Sequence, residues 1–173
     1  MFVVSFGRAS LTLLSYSFSV PELLKTKGQI VILTSRAGQL RIPNASEYCL
    51  SKHAINRFAE FITIGEPYIS IPSSYWHSVP APHRFAEYPD IKVFPVDPGT
   101  VKTDMSDEFS PNVSIDSTVG LAAATMLYLT SGKADYLSGR YVSATWDLGE
   151  VEREWKEKIV AQNGLVNKLS VPV

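Results

Sequence analysis

The sequence predicts an α/β fold: a parallel sheet of about three strands, covered by helices on both faces so that three layers form. Segments with helical periodicity alternate with short apolar segments along the 173 residues. Such alternation is typical of parallel strands joined by right-handed crossovers. The apolar segments are continuous runs, which indicates strands buried on both faces. The length suits a single domain, residues 1–173.

The first half of the chain supplies a helix, a strand and a second helix. Leucines near helical spacing predict a helix over 2–25, which Pro21 is expected to kink or split. The run IVILTS, 30–35, is rich in β-branched residues and predicts the first strand, ending at Ser35. Apolar residues on one face then predict a helix from about 45 to 62.

The second half continues the alternation. The segment IKVFPVDPG, 91–99, predicts a second buried strand that Pro95 interrupts. An amphipathic helix is expected over 117–132, where a glycine ends it. GRYVSATW, 139–146, predicts the third strand, and the charged segment 149–163 predicts a surface helix.

Composition narrows the class of protein. A net charge of −1 argues against a basic surface for nucleic acid or a polybasic membrane patch. The mildly apolar start of the chain is broken by Arg8 well short of a membrane span, and it lacks the basic region of a signal peptide. Cys49 is the one cysteine, so no disulfide can form within the chain. We therefore expect a soluble cytoplasmic protein.

Polar residues gather where the predicted strands end. Ser35 closes the first strand, and Pro98 and Gly99 close the second, so all three are expected at the edge where parallel sheets bind ligands. Tyr48 and Lys52 stand four residues apart and share one face of the intervening helix. Each feature taken singly is ordinary: a serine favours turns, and a tyrosine and a lysine suit a solvated helix start.

No other chemistry stands out in the sequence. His53, His77 and His83 lack spacing partners for a metal site, and no Gly-x-Ser-x-Gly motif of serine hydrolases is present. Cys49 and Ser51 are expected to face away from Tyr48 and Lys52 and to serve packing.

Taken together and in order, ILTSRAG, YCLSK and VDPGTVKTDM resemble the active-site segments of the short-chain dehydrogenase/reductase family. The resemblance runs from about residue 20 to 150. ADYLSGRYVSATWDLGEV also resembles the last strand and tail of fungal members. The resemblance implies a partial Rossmann-like fold and an NAD(P)-dependent oxidoreductase that acts on a small alcohol or carbonyl substrate. It leaves assembly into a homo-oligomer open.

The resemblance also implies a role for each residue. Tyr48 would exchange a proton with the substrate oxygen, because a nearby lysine ammonium stabilises the phenolate. Lys52 would also hold the nicotinamide ribose, and Ser35 would donate a hydrogen bond where charge develops on the substrate. The expected cofactor contacts are Tyr48, Lys52, Pro98, Gly99, Val101 and Thr103.

The sequence departs from the family pattern before its first strand. The glycine-rich turn TGxxxGxG is absent, and with it the residue that would choose between NAD and NADP. The family's catalytic asparagine should fall near 4–11, where the chain has VSFGRASL. An alternative hypothesis is therefore a truncated, catalytically incompetent member that serves as an interaction module or is a fragment from a faulty gene prediction.

A second departure is an extra segment at about 63–85. It holds four prolines, shows no periodicity and resembles nothing at this place in the family. A retained intron translated in frame is the favoured hypothesis. The other is a genuine lid or partner-binding loop with Tyr75 and Trp76 as anchors.

Overall fold

The computed structural model describes residues 15–16, 18–63, 90–104, 106 and 114–170. These residues form a parallel sheet with helices on both faces, as the sequence predicts. The strands, in their spatial order, are β1 (Gln29–Leu33), β2 (Lys92–Asp97) and β3 (Val142–Ser143).

Helices precede, connect and follow the strands. Residues 18–26 are helical before β1. A 3₁₀ turn, Arg36–Gln39, separates β1 from helix α1, Ser46–Ile62. Between β2 and β3 come helix α2 (Val119–Leu129) and a 3₁₀ turn (Asp135–Leu137). The segment after β3 is α3 (Leu148–Glu150), a π-helical turn (Val151–Trp155) and α4 (Lys156–Ala161).

The sheet separates two apolar clusters, one on each face. On one face, Tyr16, Val20 and α1 residues such as Phe58 pack against Ile32 and Val93. The other cluster comprises Phe94, Val96, Leu129, Ala134, Leu137, Val142 and Ile159. Because β2 sends side chains to both clusters, it is buried almost throughout. Its continuous apolar sequence, VFPV, follows from that position.

Pro95 does not interrupt the second strand, contrary to the expectation. It lies inside β2, opposite Ile32 of β1. Val93 and Asp97, two residues to either side, both hydrogen-bond toward the β3 side: the Gly139 amide donates to the Val93 carbonyl and the Ala144 amide to the Asp97 carbonyl. The donor that Pro95 lacks therefore faces the β3 side, where pairing begins only at Val96, and the β1 ladder is unaffected.

Other predicted elements are corrected in extent or character. The third strand is two residues long rather than eight. The helix predicted over 117–132 is shorter, and it is not amphipathic: Val119 and Leu127 are each more than 70% exposed on its outer face. Pro21 does not split the first helix, because 18–26 is helical throughout. The residues 2–14 predicted in that helix lie outside the described part.

The extra segment, about 63–85, also lies outside the described residues apart from Thr63. Thr63 caps the carboxyl end of α1, with its amide donating to the Glu60 and Phe61 carbonyls. Within the described ranges, no helix is long and apolar enough to cross a membrane.

Candidate active site

Ser35 lies two residues beyond the end of β1, in the turn that leads into the 3₁₀ helix. Its Oγ accepts a hydrogen bond from the Ala37 amide at 3.2 Å, so Ser35 is the N-cap of that turn. Since the oxygen already accepts this bond, the hydroxyl proton is available to donate. The side chain is half-buried, which fixes its position without removing it from a ligand.

The turn that carries Ser35 packs directly on the first half of α1. A Cβ at Gly38 would lie 2.9 Å from the backbone of both Lys52 and His53, so only glycine permits this approach. His53 Nδ1 bonds to the Gly38 carbonyl at 2.9 Å, and the Thr34 hydroxyl donates to the Lys52 carbonyl at 3.3 Å. The 3₁₀ turn capped by Ser35, which we call the serine turn, and the part of α1 around Lys52 thus form one packed unit.

Lys52 connects the helix to the sheet. Its ammonium donates to the Leu33 carbonyl at 3.0 Å and lies 5.6 Å from the centre of the Tyr48 ring. Tyr48 is 37% exposed, so its ring is accessible at the edge of the sheet. The predicted shared face of Tyr48 and Lys52 is present in the structure. Cys49 and Ser51 are buried, as expected for packing residues.

The turn after β2, which we call the glycine turn (Pro98–Thr100), lies at the same edge. Thr34 donates its amide to the Val96 carbonyl at 2.8 Å, so the two strands end side by side. Gly99 has φ +74°, and a Cβ there would also approach Ser117 Cβ to 2.6 Å. A glycine is required at this position on both grounds.

Two carboxylates hold the glycine turn. The Gly99 amide donates to Asp97 Oδ1 at 3.1 Å, and the Thr100 amide donates to Asp116 Oδ1 at 2.5 Å. Asp116 also forms an ion pair with Arg36, whose Nη1 lies 3.4 Å from Oδ2. Arg36 Nη2 donates to Thr100 Oγ1 at 3.4 Å. Arg36 therefore bridges the serine turn and the glycine turn.

The predicted cofactor contacts beyond the turn differ in availability. The Thr103 amide donates to Ser106 Oγ at 2.9 Å, and Thr103 Oγ1 accepts from the Ser106 amide. Together with the two bonds to carboxylates, this means that the amides of Gly99, Thr100 and Thr103 are already engaged. Among the described contacts of the segment, the Val101 amide has no such bond.

Sequence reasoning missed the polar residues that hold the two turns. These residues are Arg36, Asp97, Asp116 and also Tyr141, whose hydroxyl donates to Asp97 Oδ2 at 2.7 Å. None of them was singled out from the sequence. Asp97 offered a signal, since a carboxylate at the end of a buried strand needs partners. Arg36 and Asp116 are 80 positions apart in the sequence, and no local pattern links them.

The described residues line two cavities of different sizes. An open groove of about 680 Å³ follows β1 from Gln29 to Leu33 and reaches Lys52. A smaller pocket of about 300 Å³ lies between Trp146 and Trp155 and contains none of the predicted site residues. Within the described ranges, no group of His, Cys, Asp and Glu could hold a metal ion.

Several curated proteins that resemble the chain are short-chain dehydrogenases. Short chain dehydrogenase pgmD of Aspergillus terreus is 29% identical over 163 residues, which are 89% of this chain and 45% of pgmD. Short chain dehydrogenase pigC of Monascus ruber is 30% identical over 138 residues, 76% of this chain and 39% of pigC. This chain thus spans less than half the length of these relatives. No family model matches it.

Solved structures show the same fold. Acetoin dehydrogenase YohF from Salmonella typhimurium superposes with a TM-score of 0.53 at 22% identity, covering 82% of this chain and 51% of that one. A 4-hydroxyisoleucine dehydrogenase complexed with NADH and succinate gives 0.51 at 18% identity, covering 80% and 55%. The similarity to curated short-chain dehydrogenases supports placing the chain in the short-chain dehydrogenase/reductase family. The solved structures show that it has a Rossmann-like α/β fold.

Proposed function

We propose that this chain carries the catalytic residues of an NAD(P)-dependent oxidoreductase that interconverts an alcohol and a carbonyl in a small molecule. The observation that carries the proposal is the unit formed by the Ser35 turn and α1, in which Lys52 lies between the β1 carboxyl end and the Tyr48 ring. Names of the relatives support a dehydrogenase. A cytoplasmic location belongs to this proposal.

The residues at the edge suit the nicotinamide end of such a cofactor. Lys52 offers an ammonium, Ser35 a hydroxyl proton and Val101 a backbone amide. When bound, the nicotinamide would supply or accept the hydride. The chain has no Gly-x-Gly sequence to receive the diphosphate, so that end of the cofactor would need groups other than a glycine-rich turn of this chain.

The side chains would then move the proton. Tyr48 gives its hydroxyl proton to the substrate oxygen as a carbonyl is reduced, and takes it back in the reverse direction. Lys52 stabilises the phenolate left on Tyr48 through its positive charge. Ser35 donates its hydroxyl proton in a hydrogen bond to the same substrate oxygen and stabilises the charge that develops there.

The rival hypothesis is a non-catalytic member of the family. The observation that favours it is the edge of β1 opposite β2, which pairs with no strand among the described residues. A cofactor cleft needs a sheet that continues past that edge. We expect the 173-residue chain by itself to show no saturable binding of NADH or NADPH. Calorimetric titration of the purified chain tests this. Micromolar binding in a monodisperse sample would contradict that expectation.

The proposal is tested in a fusion of this chain behind the N-terminal part of pgmD, assayed with NADH or NADPH and a panel of ketones. Tyr48→Phe should lower kcat ~10²–10⁴-fold, because only the proton-carrying hydroxyl is removed. Tyr128→Phe, a hydroxyl deletion on α2, is the matched control and should leave kcat unchanged. Activity in the fusion supports the enzyme. A kcat for Tyr48→Phe within a few-fold of the parent would refute the assignment of Tyr48.

A further inference from the structure

Asp97 is a buried carboxylate at the end of the central strand. It is 4% exposed, and a carboxylate taken so far from water needs hydrogen-bond partners for both oxygens. It has them: Oδ1 accepts from the Gly99 amide at 3.1 Å, and Oδ2 accepts from the Tyr141 hydroxyl at 2.7 Å. Oδ1 thus holds the glycine turn, while Oδ2 is held by Tyr141.

Contacts of its ring and backbone hold Tyr141 in the position from which its hydroxyl donates to Asp97. Its ring packs edge-on against Trp146, with centroids 5.7 Å apart, and its backbone amide donates to the Leu165 carbonyl at 2.9 Å. Burial, and then the bond to Asp97, raise the pKa of Tyr141. It therefore stays a neutral donor throughout the neutral pH range.

The bond from Gly99 to Asp97 restrains a position where the backbone is conformationally free. Gly99 has a left-handed φ of +74° and leaves no room for a side chain against Ser117. Glycine reaches this region without strain, but it reaches many other conformations as readily, so the surroundings must select this one. Asp97 supplies that constraint at Gly99, one residue from the point where Asp116 holds Thr100.

The geometry points to Asp97 and Tyr141 as a pair of positioning residues that set the conformation of the glycine turn. Resting on the proposed function, the same pair sets the affinity of the site for the nicotinamide end of the cofactor. Neither side chain needs to touch the cofactor for this role. The effect passes through the Gly99 amide and the turn that follows it.

Hydrogen exchange at Gly99 tests the pair in the 173-residue chain without any cofactor. Asp97→Asn keeps the shape of the side chain but weakens the bond, and Gly99 should exchange ~10-fold faster or more. Tyr141→Phe frees Oδ2, and Gly99 should exchange several-fold faster. Tyr128→Phe is the matched control, because that tyrosine also donates to a carboxylate at 2.7 Å, on Glu152, away from the turn. It should leave Gly99 unchanged.

The active fusion supplies the second measurement. Asp97→Asn and Tyr141→Phe should raise the KM for the cofactor ~10-fold while kcat changes less than that, because the turn serves binding rather than proton transfer. A general loss of folding would instead lower the amount of active enzyme without changing KM.

The outcomes separate the two ideas. Gly99 exchange within two-fold of the parent in both variants overturns the positioning pair, whatever the enzyme does. Faster exchange with an unchanged cofactor KM overturns its role in cofactor binding. If the parent fusion turns over neither cofactor, the proposed function fails, and Gly99 exchange then decides by itself whether the pair sets the turn. Should Asp97→Asn not fold, Tyr141→Phe gives the same decision.

Discussion

The two edges of the sheet are built in opposite ways. Beyond β3 the sheet is covered by the segment that follows α4: Tyr141 donates its amide to the Leu165 carbonyl, and Arg140 donates to the Gly164 carbonyl at 2.5 Å. The outer edge of β1 has no such cover among the described residues, and an open groove runs along it. Yet β1, QIVIL, has the composition of an interior strand.

The sheet is closed beside β3 and can accept a further strand beside β1. β3 is only two residues long, but its surroundings are closed by hydrogen bonds and packing. β1 is five residues long and leaves Leu33 51% exposed. A long, apolar, unpaired edge is a site at which strands associate.

A truncated leucine should cost far more stability on the β3 side of the sheet than at the open edge of β1. Leu137 is fully buried in the cluster under β3, whereas Leu33 is half-exposed at the other edge. Leu137→Ala should lower the free energy of unfolding by ~2–5 kcal/mol, because it removes buried contacts and leaves a cavity. Leu33→Ala should cost less than about 1 kcal/mol. Urea denaturation of both variants checks this, and equal losses would show that the β1 edge is covered in solution.

A charge on the open edge should change association rather than stability. Leu33→Lys places a lysine on the exposed strand, which blocks edge-to-edge pairing. We expect the fraction of aggregate to fall at least several-fold in light scattering. Leu127→Lys on α2, at a residue 73% exposed, is the matched control. If Leu127→Lys improves solubility as much as Leu33→Lys does, general charge and not the strand edge is responsible.

The smallest expected effect concerns alkaline pH on the closed side. Tyr128 donates to Glu152 at 2.7 Å, and this bond, followed by burial, raises the pKa of Tyr128 to about 12 from 10.0. The raised pKa means that folding favours the neutral phenol. The stabilisation is therefore complete below pH 10 and is lost as pH rises through about 12.

Tyr128→Phe checks this dependence. The parent should be more stable than the variant at pH 8–9, and the gap should narrow steadily between pH 10 and 12. Urea unfolding at each pH gives the two curves. A gap that stays constant over that range would show that the Tyr128 hydroxyl does not act through its ionisation.

Local pattern was enough to predict most of the architecture. The runs IVIL and VFPV mark strands by composition, and the spacing of Tyr48 and Lys52 places both on one face of a helix. The positions of Ser35 and Gly99 at one edge follow from parallel pairing. These features depend on residues close together in the sequence, which is why periodicity and strand order reveal them.

The remainder depends on contacts between distant residues. Asp97 and Tyr141 are 44 positions apart, and their bond depends on how β3 docks beside β2. Pro95 is tolerated because the neighbouring strand, β3, is short and pairs with β2 only from Val96 onward. The sequence of β2 by itself gives no information about the length of β3. The exposure of Leu127 was missed because the helix was predicted to be amphipathic, whereas α2 also carries apolar side chains on its outer face.

Glu60 and the chain near Asn167 give the fold a long-range closure. Glu60 Oε1 accepts the Asn167 amide at 2.7 Å, and its Oε2 pairs with Arg57 at 2.6 Å. The bond between Glu60 and Asn167 joins residues 107 positions apart. Forming it closes a large loop, and the chain loses conformational entropy before the contact is made. During synthesis α1 would leave the ribosome long before its partner does. The carboxyl end of α1 would therefore lack this contact until the 107 positions up to Asn167 have been synthesised.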